Sequence, residues 1–235
     1  MKIFPGLSKL INMTEDKPIL AIETSESLCS TAVYFSDEKY FQSVLRDRYS
    51  HAEKLMASIE HSLNSAGITV KDIGSIAVSS GPGSFTGLRI GMSAAKGLAL
   101  GADLAIIPVP TFEAMAMQIS EYLNLDSEFI IANKVNSEEI YYARFQVIAN
   151  KTIFVDNLQV IKKTDFKGKT NTLQFGNVSL NENREDRIMR NIISPDAVHI
   201  ARWANTYGKN LATYDYDYLE PDYHKNFIIK AKKHA

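Results

Sequence analysis

Ile19-Leu20-Ala21-Ile22-Glu23-Thr24 is a short apolar run that stops at Ser25-Glu26-Ser27, the pattern of a strand ended by a turn. Leu28 to Phe35 follows with β-branched and aromatic residues. Asp37-Glu38-Lys39 then turns the chain into Tyr40 to Arg46, where Phe41 and Leu45 alternate with Gln42 and Arg46. Connections this short join antiparallel neighbours, so the opening reads as a three-strand meander. Beyond it, Leu55, Ile59 and Leu63 recur every four residues, flanked by Ala52, Met56 and Ala66. That spacing predicts an amphipathic helix over 51–66, with Ser50 and Glu53 as a capping box and Gly67 as the stop. Ile73 to Ser79 reads as a strand, Gly81-Pro82-Gly83-Ser84 as a turn opening a helix to about Gly101, and Leu104 to Val109 as a strand again. Such crossovers make parallel pairs. The fold class is therefore α/β with mixed sheets, and a plain doubly wound sheet is excluded by the antiparallel start.

Pro110-Thr111 begins a further helix carried by Phe112, Met115, Ala116, Ile119 and Tyr122. After it, extended runs at 129–132, 139–148, 153–161 and 172–175 suggest a second, smaller lobe. Asn177 to Asn191 is polar and charged and reads as a solvated loop. Ser194-Pro195-Asp196 opens a helix through Trp203 and Tyr207 that Gly208 ends.

Composition narrows the function. The 235 residues carry 26 basic and 27 acidic side chains, a formal charge of −1, with 45% hydrophobic residues. Such a chain can build a core, but it lacks the basic surplus needed to grip nucleic acid unaided, so an RNA role calls for a partner. Cys29 is the only cysteine, which excludes an internal disulfide and a cysteine-based zinc cluster and fits a cytoplasmic protein. Pro5, Gly6 and Lys9 interrupt the start before a signal-length apolar segment forms, and no run of about eighteen apolar residues suggests a membrane span. Residues 1–17 read as an N-terminal extension or a translated upstream stretch, with Met13 as an alternative start.

Ser79-Ser80-Gly81-Pro82-Gly83-Ser84-Phe85-Thr86-Gly87-Leu88-Arg89-Ile90-Gly91 is the strongest local motif. Its amides, with Arg89, form a candidate anion site comprising Gly81, Gly83, Ser84, Thr86, Gly87 and Arg89. The motif lacks the Gly-Lys-Ser/Thr of a Walker loop, and its G-x-G-x-x-x-G spacing is one residue beyond the dinucleotide fingerprint. A helix N-terminus contributes about 0.3–1 kcal/mol to holding an anion, against about 8 kcal/mol for micromolar binding. The alternative is a structural turn that permits close packing. Glu23 is a base or a turn-bonding group. The five histidines show no paired metal-ligand spacing, and no metal or catalytic residue is assigned. Glycine costs a helix about 0.8–1 kcal/mol relative to alanine, so Gly87, Gly91, Gly97 and Gly101 imply a close backbone approach, either by the protein's own sheet or by another chain's helix. The tyrosine-rich tail from Thr213 either stacks on RNA bases or packs.

These residues resemble the TsaB (YeaZ) family: Ile19 to Ser25, Ser50-His51-Ala52-Glu53, the glycine block Gly81 to Gly91, Gly97-Leu98-Ala99, and Glu220-Pro221-Asp222-Tyr223. Many relatives have Asp where Glu23 stands and an Asp-Ala-Arg-like segment at Lys134-Val135-Asn136. The resemblance implies an ASKHA (actin-like ATPase, ribonuclease H-like) fold of two lobes. It implies a first lobe of 18–110 plus about 194–208, a second of 111–193 and a tail of 209–235. It further implies a non-catalytic scaffold in threonylcarbamoyladenosine synthesis that binds and activates TsaD. TsaE is a further partner, tRNA is reached through the complex, and a homodimer forms without TsaD. No cofactor is tightly bound by this chain, and ATP and metal are expected on the partner subunits. By resemblance the interface comprises His51, Leu55, Ile59, Leu63, Gly87, Gly91, Ala94, Ala95 and Leu98, so Leu at Gly91 or Ala94 should break assembly without unfolding the monomer. The rival readings are a nucleotide-binding phosphotransferase or hydrolase using Glu23, Thr24 and the Gly81–Gly87 turn, and a chaperone or protease acting on TsaD.

Overall fold

A computed structural model describes residues 17–46, 51–149, 151–166, 172–178, 188–189 and 192–224. Met13 and nearly all of the expected extension, Ser50 of the capping box and the basic C-terminal end lie outside the described residues.

The meander forms as β1 (Ile19–Glu23), β2 (Leu28–Ser36) and β3 (Lys39–Arg46). Helix α1 (His51–Ala66), β4 (Ser75–Gly81), α2 (Phe85–Ala102) and β5 (Ala105–Pro110) follow. The sheet order is β3-β2-β1-β4-β5, antiparallel through the meander and parallel from β1 to β5. Helix α3 (Thr111–Ser120) leads into β6 (Glu128–Lys134), β7 (Glu139–Ile148), β8 (Lys151–Lys162), β9 (Leu173–Phe175) and β10 (Ile188–Met189). This second sheet runs β8-β7-β6-β9-β10, again an antiparallel meander followed by parallel pairs. The two sheets share one topology. Strand β10 corrects the expectation of a plain loop over Asn177–Asn191, because Ile188 and Met189 pair in parallel with β9 and satisfy its outer edge.

Alternation along β1 sends Leu20 and Ile22 to one face and Ile19 and Ala21 to the other. The first face is covered by α1 through Leu55 and Ile59 and by α2 through Met92, Ala95 and Ala99. Burying each large aliphatic side chain there contributes about 1.5–3 kcal/mol. A polar seam runs through the same contact, where Thr31 Oγ1 meets the Ser58 and Ser62 hydroxyls at 2.9 and 2.8 Å. The opposite face presents small residues, Ala21, Ala32 and Ala77, onto which α4 (Ala197–Tyr207) packs through Ile200, Ala201 and Ala204. Asp196 caps α4 by accepting the His199 amide at 3.0 Å.

Helix α3 is shared by both lobes. Ala114 joins the core of the first sheet, while Phe112, Met115 and Ile119 join that of the second. Trp203 Nε1 on α4 donates to Glu113 on α3 at 3.2 Å.

Helix α2 lies against the end of β1 at a distance that only glycine allows. A Cβ on Gly87 would collide with the Thr24 carbonyl oxygen, and one on Gly91 with Thr24 Oγ1. Thr24 Oγ1 instead donates to the Gly87 carbonyl at 2.8 Å. The close approach read from the glycines is made, at Gly87 and Gly91, by the protein's own sheet. Gly97 and Gly101, by contrast, face open space. Gly91→Leu is therefore expected to destabilise the fold by about 3 kcal/mol or more, through overpacking against β1. Urea unfolding checks this, with Gly97→Ala as the control that is neutral or slightly stabilising.

Candidate functional site

The glycine turn is set by what it touches. At Gly81, whose φ is +120°, the space a Cβ would fill is taken by the Asp222 carbonyl oxygen, and at Gly83 by Ser25. Three amide donors of the turn are engaged within the chain. Gly81 N–H donates to Thr111 Oγ1 at 3.1 Å, Ser84 N–H to the Ser25 carbonyl at 2.6 Å, and Gly87 N–H to Ser84 Oγ at 3.2 Å. Pro82 has no N–H to give. The Arg89 guanidinium lies 3.8 Å over the Phe85 ring and donates from Nε to the Tyr223 hydroxyl at 3.0 Å. Of the candidate anion site, Thr86 alone is an exposed side chain not engaged in one of these contacts. As folded, the turn offers these groups to its own chain, and an anion would have to displace them.

Glu23 ends β1 inside the protein, fully buried. One carboxylate oxygen accepts the Ser25 amide at 2.6 Å and the Ser25 hydroxyl at 2.5 Å. Burial pushes the carboxyl up to about 7, although the Ser25 bonds and the Ser79 hydroxyl favour the charged form. Its role is to close the β1–β2 turn. Asn136 does similar work in the β6–β7 turn, its side-chain oxygen accepting the Glu138 and Glu139 amides at 2.8 and 2.9 Å.

The expected interface residues divide by orientation. Leu55, Ile59, Gly87, Gly91 and Ala95 are buried against the first sheet or its edge, and His51 is buried beside the Ser27 carbonyl. Of these only Leu55 reaches a surface feature, as part of the floor of the groove between α1 and α2. Leu63, Ala94 and Leu98 are partly exposed. Between α1 and α2 lies an open groove of about 610 Å³, lined by Ala52, Leu55, Met56, Phe85, Thr86, Arg89, Ile90, Ser93 and Ala94. Met56, Phe85 and, further along α2, Leu100 are 50%, 41% and 73% exposed. Period-four reading picked out the inward stripe of α1. The second stripe, Ala52 and Met56, was the signal for the outward one.

The tail packs on the first lobe through its described residues, up to 224. Thr213 and Ile106 exchange two backbone hydrogen bonds of 2.9 Å, and Tyr216 donates to the Leu104 carbonyl at 2.6 Å. The segment then crosses the glycine turn, with Asp222 N–H donating to the Ser80 carbonyl at 2.7 Å. No group of three or more metal-type side chains converges among the described residues, and no described helix is long and apolar enough to cross a membrane.

A family model described as "TsaD: tRNA N6-adenosine threonylcarbamoyltransferase" matches residues 48–173, more than half of the chain. The chain belongs to this family. Its kinship within it is with the TsaB (YeaZ) proteins, as the sequence motifs indicated. The tRNA threonylcarbamoyladenosine biosynthesis protein TsaB of Haemophilus influenzae is 35% identical over 57% of this chain and 55% of its own length. The TsaB protein of Escherichia coli is 35% identical over 54% of each chain. The matched region thus spans just over half the length of these curated relatives. The solved structure of YeaZ from Pseudomonas aeruginosa superposes with a TM-score of 0.72 at 19% identity, covering 87% of this chain and 100% of that one. That likeness, with the shared topology of the two sheets, makes this an ASKHA-type fold.

The buried carboxyl gives a pH signature. Its folded value of about 7 lies above the ordinary 4.5, so the folded state favours the protonated form. Glu23 therefore costs stability progressively as pH rises from 4.5 through 7. At about 1.4 kcal/mol per pKa unit, the cost reaches about 3 kcal/mol above pH 8. Glu23→Gln should flatten this slope and be more stable than the parent at pH 8.5, measured by urea unfolding at pH 5 and 8.5.

Proposed function

We propose that this chain is the non-catalytic scaffold subunit of the machinery that makes threonylcarbamoyladenosine in tRNA, and that it binds TsaD along the α1–α2 groove. The observation that carries this reading is the groove itself. It is an open, largely apolar face between two helices, with Met56 and Phe85 exposed and Gly97 and Gly101 free of intrachain neighbours within reach of a Cβ. Exposed apolar residues beside small ones let a partner helix approach closely, and the aromatic and long apolar side chains serve as anchors. Family membership supplies the pathway, and the printed name of the curated relatives, tRNA threonylcarbamoyladenosine biosynthesis protein, supports it.

In this reading TsaD carries the transfer chemistry, ATP and metal belong to the partner subunits, TsaE joins as a further partner, and tRNA is met through the assembly in the cytoplasm. Without TsaD the same groove pairs two copies of the chain. The phosphotransferase or hydrolase reading is less well supported, because Asp222 and Ser25 pack against Gly81 and Gly83 and Glu23 is fully buried with one oxygen bonded to Ser25.

Ser93 is exposed on the groove wall, so Ser93→Arg should leave the fold intact while blocking the surface. Size-exclusion and titration with TsaD are expected to show a stable complex for the parent chain and at least tenfold weaker binding for Ser93→Arg. Turnover of ATP with magnesium by the chain alone would count against the scaffold.

A further inference from the structure

The strap formed by residues 220–224 touches three parts of the molecule at once. Asp222 is fixed to β4 through the Ser80 carbonyl and lies over Gly81. Tyr223 packs against Phe85 of α2 with ring centroids 4.9 Å apart and planes tilted by 35°, and its hydroxyl accepts from Arg89 Nε at 3.0 Å. The Tyr223 carbonyl accepts the Tyr141 hydroxyl of β7 at 2.9 Å, which ties the strap to the second lobe. His224, with φ +48°, ends the segment by donating its amide to Asp222 Oδ1 at 2.8 Å.

Phe85 and Arg89 also line the α1–α2 groove. One tyrosine therefore holds two side chains of the groove wall. A free Phe85 ring or Arg89 side chain samples several rotamers, and ordering long side chains on binding costs affinity. A contact that sets both beforehand removes part of that cost.

We propose that the strap is an intramolecular clamp in which Tyr223 positions Phe85 and Arg89, so that seating of the strap and occupation of the groove by TsaD favour each other. This rests on the reading of the groove as the TsaD face. Coupling of this kind is reciprocal: if the seated strap tightens partner binding, partner binding protects the strap by the same factor. Tyr223 is a positioning residue, with Phe85 and Arg89 in contact with the partner.

The full-length chain and TsaD provide the test. Tyr223→Ala should weaken TsaD binding about five- to tenfold with the melting transition still cooperative. Tyr223→Phe, which keeps the stack and loses the hydroxyl, should fall between the two. In the parent, TsaD should slow hydrogen exchange at the Asp222 amide by a similar factor beyond the slowing at second-sheet amides such as Ile131, an excess that general stabilisation by a partner would not produce. If Ser93→Arg abolishes binding while both Tyr223 variants bind like the parent, the clamp is overturned and the groove reading survives. If Tyr223→Ala binds more tightly, the strap competes with the partner and the clamp is again wrong. If Tyr223→Ala unfolds, Tyr223→Phe affinity and the Asp222 exchange decide, and parent-like affinity of Tyr223→Phe together with no slowing of Asp222 exchange by TsaD overturns the proposal. Full binding by Ser93→Arg sinks the groove reading itself.

Discussion

The contact between Thr24 and the first turns of α2 governs the arrangement of the first lobe. Thr24 Oγ1 donates to the Gly87 carbonyl, and Thr24 occupies the space of a Cβ at Gly87 with its carbonyl oxygen and at Gly91 with its hydroxyl. Drawing α2 this far onto the end of β1 fixes where the glycine turn sits, and hence which of its amides meet Ser25 and Thr111. It also fixes which side of α2 is left outward. The glycines give up helix propensity for this proximity, and the bonds at Thr24 and Ser25 offset part of the loss.

A turn bonded to its own chain through Gly81, Ser84 and Gly87 and a groove with apolar residues exposed are two sides of one arrangement. The inner side of α2 is committed to β1, and the outer side, with Arg89, Ile90, Ser93 and Ala94, faces away. The carboxyl at the β1 end is one of the groups that a general-base reading calls on, since burial raises it into the physiological range. Its bonds to Ser25 account for one oxygen, and the other is buried without a hydrogen-bond partner, which adds to the cost of charging it. A perturbed carboxyl inside a fold is here a constraint on stability.

Much of this architecture was legible in the residues. The meander, the helices at 51–66 and after Gly83, and the strand pattern of the second lobe follow from periodicity and turn chemistry, and the glycine block pointed to close packing. Orientation was harder to read. Leu55 and Ile59 form the most regular stripe of α1, and regularity marks the side facing the core rather than a partner. Ser58 and Ser62 look solvent-facing by type, yet they are buried because Thr31 meets them from β2. The strap over Gly81 was invisible for another reason: its partners at Ser80, Phe85 and Tyr141 are remote in sequence, and no local pattern encodes such pairings.

Helix α4 seals the alanine-lined face of the first sheet, yet it is encoded after the whole second lobe. During synthesis, β1, β2 and β4 can pair early, but one side of that sheet stays bare until Ala197–Tyr207 has emerged. The first lobe is thus begun first and completed last, which makes the nascent chain an open half-sandwich for most of its translation. The alanines at 21, 32 and 77 keep the middle of that surface lean, while Ile19, Tyr34, Ile107 and Val109 around them are the apolar area that waits for the ribosome to finish.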